Sequence, residues 1–192
     1  MVHCGIAPSQ ARSNLLAAAV RHACDAGIAE LSLRQIAEAI GTSHRMLLYH
    51  FGTREGLLVA VTNAVEETER RRLLDTGASF ADAREVWDHL SDPALRSQER
   101  LFFEIYVHAL LNRGTADGFL DHVVDDWTQP ITERLVAAGV TAELAAAHAR
   151  LGLAVVRGLL LDLLATRDLA GTTAAFDLYV DTVVATLTAT VS

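Results

Sequence analysis

The stretch Ser32–Phe51, SLRQIAEAIGTSHRMLLYHF, constrains this chain more than any other feature. It reads as two short helices joined by a tight turn. Ser32 followed three residues later by Gln35 is a capping-box start, and Leu33, Ile36, Ala37 and Ile40 then recur on one face at helical spacing. Gly41 stands just past the last apolar position, where a residue of left-handed backbone stops a helix at low steric cost. Thr42 and Ser43 offer side-chain oxygens to cap a second helix. That helix carries Leu47 inward and shows His44, Arg45, Tyr49 and His50. Two readings fit: an ordinary hairpin of helices, or a helix-turn-helix whose second helix enters the major groove of DNA.

The flanking residues extend the pattern. A first helix ending in Gly27 leads into Ser-Leu-Arg-Gln-Ile-Ala (Ser32 to Ala37), and a Gly-Thr-Ser turn follows (Gly41 to Ser43). Leu-Leu-Tyr-His-Phe (Leu47 to Phe51) and Thr-Arg-Glu-Gly-Leu (Thr53 to Leu57) come next, in order. On these pieces residues 12–72 resemble the N-terminal domain of the tetracycline-repressor (TetR) family of one-component transcriptional regulators. The resemblance implies an all-α homodimer. Residues 9–69 would form a three-helix DNA-binding domain with the helix-turn-helix at 32–51, and residues 76–192 a helical regulatory, ligand-binding and dimerisation domain. The chain departs from the usual pattern at His22 and Ala23, at Arg45-Met46, at Leu48 and at Gly52, where the family often has Leu, Phe, Gly-Thr, Tyr, and Pro or Lys. The departures in the second helix bear on the operator sequence, not on the DNA-binding role.

Recognition of DNA divides into base readout and phosphate contact. Base readout is expected from Ser43, His44 and Arg45, with Met46 placed to touch a thymine methyl. Arg45 is the sharpest candidate, because a guanidinium fits guanine O6 and N7 bidentately. Phosphate contacts are expected from Thr42, Tyr49, His50 and Arg54, and from Ser32 and Arg34 at the start of the preceding helix. Arg34 has a second possible use, in an internal ion pair.

A net charge of −8 looks wrong for a DNA binder until its distribution is read. Residues 1–58 carry Arg12, Arg21, Arg34, Arg45 and Arg54 against Asp25, Glu30, Glu38 and Glu55, so the acidity lies beyond the hairpin. Every basic residue is Arg; with no Lys, Schiff-base and lysine general-base chemistry are excluded for these residues. The hydrophobic fraction of 51% and only 3 Pro favour helices throughout. No apolar run reaches membrane-spanning length without a charge and no signal-peptide pattern opens the chain, which predicts a cytoplasmic protein with no membrane partner.

Beyond the hairpin, the pattern predicts a helix from Thr53 to about Leu74, a break at Thr76–Ser79, and a short helix to about His89. Asp92-Pro93 caps a helix to about Asn112; another runs from about Ala116 to Ala138, interrupted near Pro130. The last two, about 142–166 and 171–190, carry stripes of Leu151, Val155, Leu159 and Leu163, and of Phe176, Tyr179, Val180, Val183, Val184 and Leu187. These stripes are either core or a two-fold interface. The resemblance places a four-helix dimer interface there, with Leu159, Val180 and Val184 across the axis.

Chemistry finds little footing. His residues are scattered without HExxH or paired ligand spacing, so no metal or cofactor is expected. There is no GxSxG elbow or Gly-rich phosphate loop. Trp87, Phe102, Phe103, Tyr106, Phe119 and Trp127 suit either a core or a small-molecule pocket. The resemblance favours a pocket for an effector, walled by Trp87, Phe103, Tyr106 and Trp127, with Asn112 and Asp126 as polar groups. The expectation is a non-enzymatic, ligand-responsive repressor on a pseudo-palindromic operator. The alternatives are a helical enzyme or a protein-interaction bundle with a non-functional hairpin, and salt-dependent DNA binding separates these.

Overall fold

The structure, a computed structural model, describes residues 8–28, 30–75, 83–111 and 119–191. Ten helices and no strand occur among them: α1 (Pro8–Ala26), α2 (Leu33–Ala39), α3 (His44–Phe51), α4 (Arg54–Asp75), α5 (Ala83–Leu90), α6 (Arg96–Leu111), α7 (Phe119–His122), α8 (Asp125–Ala137), α9 (Ala142–Thr166) and α10 (Leu169–Val191). A short 3-10 turn, Pro93–Leu95, precedes α6 and is capped by the Asp92 carboxylate. The protein is all-α, as its composition and periodicity predict. The expected break at Thr76–Ser79 and candidate Asn112 lie outside the described residues.

The chain divides into two compact units, residues 1–67 with 97–119, and residues 68–96 with 120–192. Most of α6 therefore belongs with the N-terminal helices. Arg100 shows one reason. It donates to Glu30 ahead of α2 at 2.5 Å and to Glu104 on its own helix at 2.8 Å. In this unit Ala19 and Ala23 of α1, Leu33, Ile36 and Ala37 of α2, Leu47 and Phe51 of α3, and Leu57, Leu58 and Val61 of α4 are buried. Of the α2 positions at helical spacing, Leu33, Ile36 and Ala37 are thus buried, while Ile40 is half-buried.

In the second unit α8 and α10 both pack on α9, and α5 packs on α10. Leu135, Val140, Ala145, Val183 and Leu187 form a buried cluster, flanked by Ile131, Leu144 and Tyr179. Trp87 of α5 stacks on Phe176 with centroids 5.0 Å apart, and its indole N–H donates to Thr173 Oγ1 at 2.9 Å. Arg84 forks between Asp177 at 2.6 Å and Asp181 at 2.7 Å, one turn apart on α10. These hydrogen bonds, Asp181's first, hold its pKa above the ordinary arginine value.

Two boundaries differ from expectation. The helix predicted across 116–138 breaks at Val123-Val124, and Pro130 sits inside α8. The break leaves the Val123 carbonyl to a side chain: Arg157 Nη2 donates to it at 2.6 Å. The last helix begins at Leu169 because Asp168 caps it, its carboxylate accepting from the Gly171 N–H at 2.9 Å.

Gly152 permits a close approach of α9 and α10. A Cβ built there would lie 2.9 Å from the Tyr179 hydroxyl. Gly152→Ala would gain about 1 kcal/mol of helix propensity but meet this contact. We expect little or negative change in melting temperature for Gly152→Ala alone. In a Tyr179→Phe background the same change should stabilise, because the opposing oxygen is gone. Thermal unfolding of the four chains measures this; equal effects in both backgrounds would contradict it.

Candidate nucleic-acid interface

Local bonding fixes the α2–α3 pair. Ser32 and Gln35 complete the capping box, with the Gln35 N–H donating to Ser32 Oγ at 3.3 Å and the Ser32 N–H to Gln35 Oε1 at 2.9 Å. At the other end of α2, Gly41 adopts φ +71. Its N–H donates to the Glu38 carbonyl at 3.2 Å and that of Thr42 to Ala37 at 2.8 Å. This paired closure requires the left-handed residue that glycine supplies. Ser43 then caps α3, accepting from the Met46 N–H at 3.2 Å. Leu47 and Phe51 seat α3 on the core, and Arg12 of α1 lies 5.0 Å over the Phe51 ring.

What α3 leaves outside is a continuous polar and apolar face. His44, Arg45, Met46, Leu48 and Tyr49 are all exposed, Tyr49 at 73%. No ion pair or hydrogen bond of the Arg45 side chain occurs among the described residues. Arg34 on α2 is likewise exposed with no ion pair among them, so the internal alternative is not realised.

Other expected contacts are differently employed. Ser32 is committed to the cap through both hydroxyl and N–H. Ser43 Oγ serves the α3 cap, and Thr42 is half-buried in the turn. Arg54 donates from Nε to the Leu31 carbonyl at 2.7 Å and approaches Glu55 at 3.7 Å. It fastens the start of α4 to the loop before α2. His50 turns inward: its Nε2 is buried without a hydrogen-bond partner, and its ring lies between those of Tyr49 and Phe51, at 4.9 and 6.5 Å. A phosphate contact from His50 is left to Nδ1 alone.

The expected ligand walls do not share a unit. Phe103 and Tyr106 belong to the first, where their rings cluster with Phe102 and Phe119. Trp87 and Trp127 belong to the second. Trp87 is 1% exposed, with ring stacked and N–H satisfied; it is core there, not a wall open to a ligand. Asp126 accepts from Arg70 at 3.0 Å. Among the described residues no cluster of metal-ligating side chains is present.

The expected dimer residues also part company. Val180 is 1% exposed and belongs to its own unit's interior, which removes it from any interface. Leu159 is half-buried and Val184 40% exposed. The predicted stripes mixed two faces: Leu163, Phe176, Val180 and Val183 turn inward, while Leu151 and Val184 are exposed. Sequence reasoning missed Leu161 and Leu178, although Leu151, Ala154, Gly158, Leu161 and Ala165 recur at three- and four-residue steps and are all exposed.

Comparison with known proteins agrees with this geometry. Residues 15–61 match the family model described as bacterial regulatory proteins, tetR family. No curated protein matches the chain in sequence. Among solved structures, a transcriptional regulator from Rhodococcus sp. Rha1 is similar at 20% identity and TM-score 0.70, over 89% of this chain and 94% of that one. The multidrug binding protein EbrR, complexed with imidazole, is similar at 26% identity and TM-score 0.59, over 92% and 88%. A TetR variant from Acinetobacter baumannii AYE, in complex with minocycline, is similar at 22% identity and TM-score 0.61, over 94% and 97%. The matched segment, residues 15–61, spans α2 and α3, and over that segment the chain is similar to the tetR family of bacterial regulatory proteins.

Proposed function

We propose that this chain is a tetR-family DNA-binding transcriptional regulator that acts in the cytoplasm as a homodimeric repressor on a pseudo-palindromic operator, released when a small molecule binds. The observation that carries the DNA half is the outward face of α3, with Arg45 exposed and without an ion pair among the described residues. Arg45 and His44 read bases, Met46 adds an apolar contact, and Arg34 and Tyr49 hold phosphates. Selection of bound sequences from a random duplex pool, followed by titration at several salt concentrations, tests it. A two-fold symmetric site and an affinity falling steeply with salt are expected. Absence of any selected sequence would favour the enzyme or interaction-bundle reading.

Dimerisation is supported by uncovered apolar surface. Helix α9 is long and apolar enough to cross a membrane by length and composition, yet only 17% of that window is buried. Arg157 and Asp162 interrupt the apolar run, and a second copy paired through α9 and α10 is the cover we propose.

Release by a ligand rests on α4. Its Leu57, Leu58 and Val61 are buried in the first unit. Its later residues are tied within the second: Glu69 to His89 of α5 at 2.7 Å, Arg72 to the same ring, and Arg70 to Asp126 of α8. A ligand that prefers one placement of α5 and α8 would thereby bias α4. The half-buried ring of Trp127, on α8 of the second unit, is the candidate contact, and relatives complexed with imidazole and minocycline suggest aromatic effectors. In a ligand screen, we expect hits that quench Trp127 fluorescence to weaken operator binding, and operator DNA to weaken those hits equally. Ligands that bind without changing operator affinity would remove this half of the proposal.

A further inference from the structure

Leu48 is an exposed apolar side chain in the middle of a DNA-reading face, and nothing in the phosphate and base assignments uses it. It is 40% exposed on α3. It lies four residues after His44 and three after Arg45, so these side chains are neighbours on one surface of the helix. Helical side chains lean toward the N-terminus, which brings the Leu48 methyls over the turn carrying His44 and Arg45. Met46, 39% exposed, is one position round from Arg45 and lies closer to Tyr49 and His50. Leu48 is therefore the exposed aliphatic side chain that lies one turn from both His44 and Arg45.

A leucine offers no hydrogen bond to a phosphate or a base edge. In the major groove, the one apolar group on a base edge is the C5-methyl of thymine. An exposed Leu beside an Arg on a groove-entering helix gains from burial only where such a methyl stands next to the guanine that the Arg holds. We propose that Leu48 is a specificity-determining residue that reads a thymine methyl in the base pair adjacent to the guanine contacted by Arg45. Each half-site then contains a thymine–guanine neighbour pair, and its thymine is selected for its methyl group. This rests on the DNA-binding reading of α3 given above.

The test uses the full-length protein and the operator obtained by random-pool selection. Arg45→Ala first identifies the guanine position, as the position whose preference relaxes. Deoxyuridine then replaces the neighbouring thymine, deleting only the methyl. Wild type is expected to bind the deoxyuridine operator about 3- to 10-fold more weakly, per half-site, than the thymine operator. Leu48→Ala should lose a similar factor on the thymine operator and be indifferent to the exchange. Its exposure makes the variant tolerable to the fold, and circular dichroism checks this. Equal penalties from deoxyuridine in wild type and Leu48→Ala would overturn the assignment, as would a selected site with no thymine beside that guanine. In those outcomes operator binding itself stands. Failure to select any DNA would overturn both this assignment and the reading it rests on.

Discussion

Arg45→Ala is expected to bind the selected operator roughly 5- to 150-fold more weakly per half-site, the equivalent of about 1–3 kcal/mol for one bidentate arginine–guanine contact. Both half-sites lose the contact in a dimer, so the total effect is larger. The fold should survive, because the side chain is exposed and holds nothing else among the described residues. Specificity should relax at one position of each half-site, since the other contacts remain. Arg34→Ala gives the contrast. A phosphate contact carries no sequence information, so its loss should weaken all duplexes alike and flatten the salt dependence by about one counterion. Binding to operator and to scrambled duplex at two salt concentrations distinguishes the two variants. If Arg45→Ala lost affinity equally for both duplexes, Arg45 would be a phosphate contact and the base assignment would fall.

The α2–α3 pair was legible in the sequence because its determinants are local. Ser32, Gln35, Gly41 and Ser43 act within four residues of their partners, and each occupies the role that its spacing implies. Buried and exposed positions on α3 follow from the same periodicity. What the sequence did not carry is long-range pairing. Arg54 reads as a surface cation ready for phosphate, yet its Nε donates to the Leu31 carbonyl, 23 residues earlier. Asp126 reads as a pocket carboxylate and is instead matched by Arg70, 56 residues away. Trp87 could have been wall or core; Phe176 and Thr173 on α10 decide for core. On α9 and α10 the failure was one of phase. Both helices are apolar on more than one face, so periodicity alone cannot say which stripe faces inward.

The face that does point outward makes the second large prediction. Leu161 is 52% exposed and falls in the stripe of Leu151, Ala154, Gly158 and Ala165 on α9. Leu169, at 43%, Leu178, at 69%, and Val184, at 40%, are exposed large apolar side chains on α10. On a two-fold axis every substitution enters twice, so Leu161→Arg would set two unpaired charges into an apolar contact, a penalty of several kcal/mol. We expect wild type to be dimeric at micromolar concentration by light scattering, and Leu161→Arg to be monomeric. Operator affinity should collapse with it. A single chain can engage only one half-site, whereas two recognition helices held about 34 Å apart bind both together. Val107→Arg is the control. Val107 is equally exposed at 52%, but on α6. It adds the same charge to the chain without touching the proposed interface, and should leave the dimer intact. If Leu161→Arg stayed dimeric while Val107→Arg dissociated, the apolar cover would lie on α6, and α9 would need another explanation for its uncovered face.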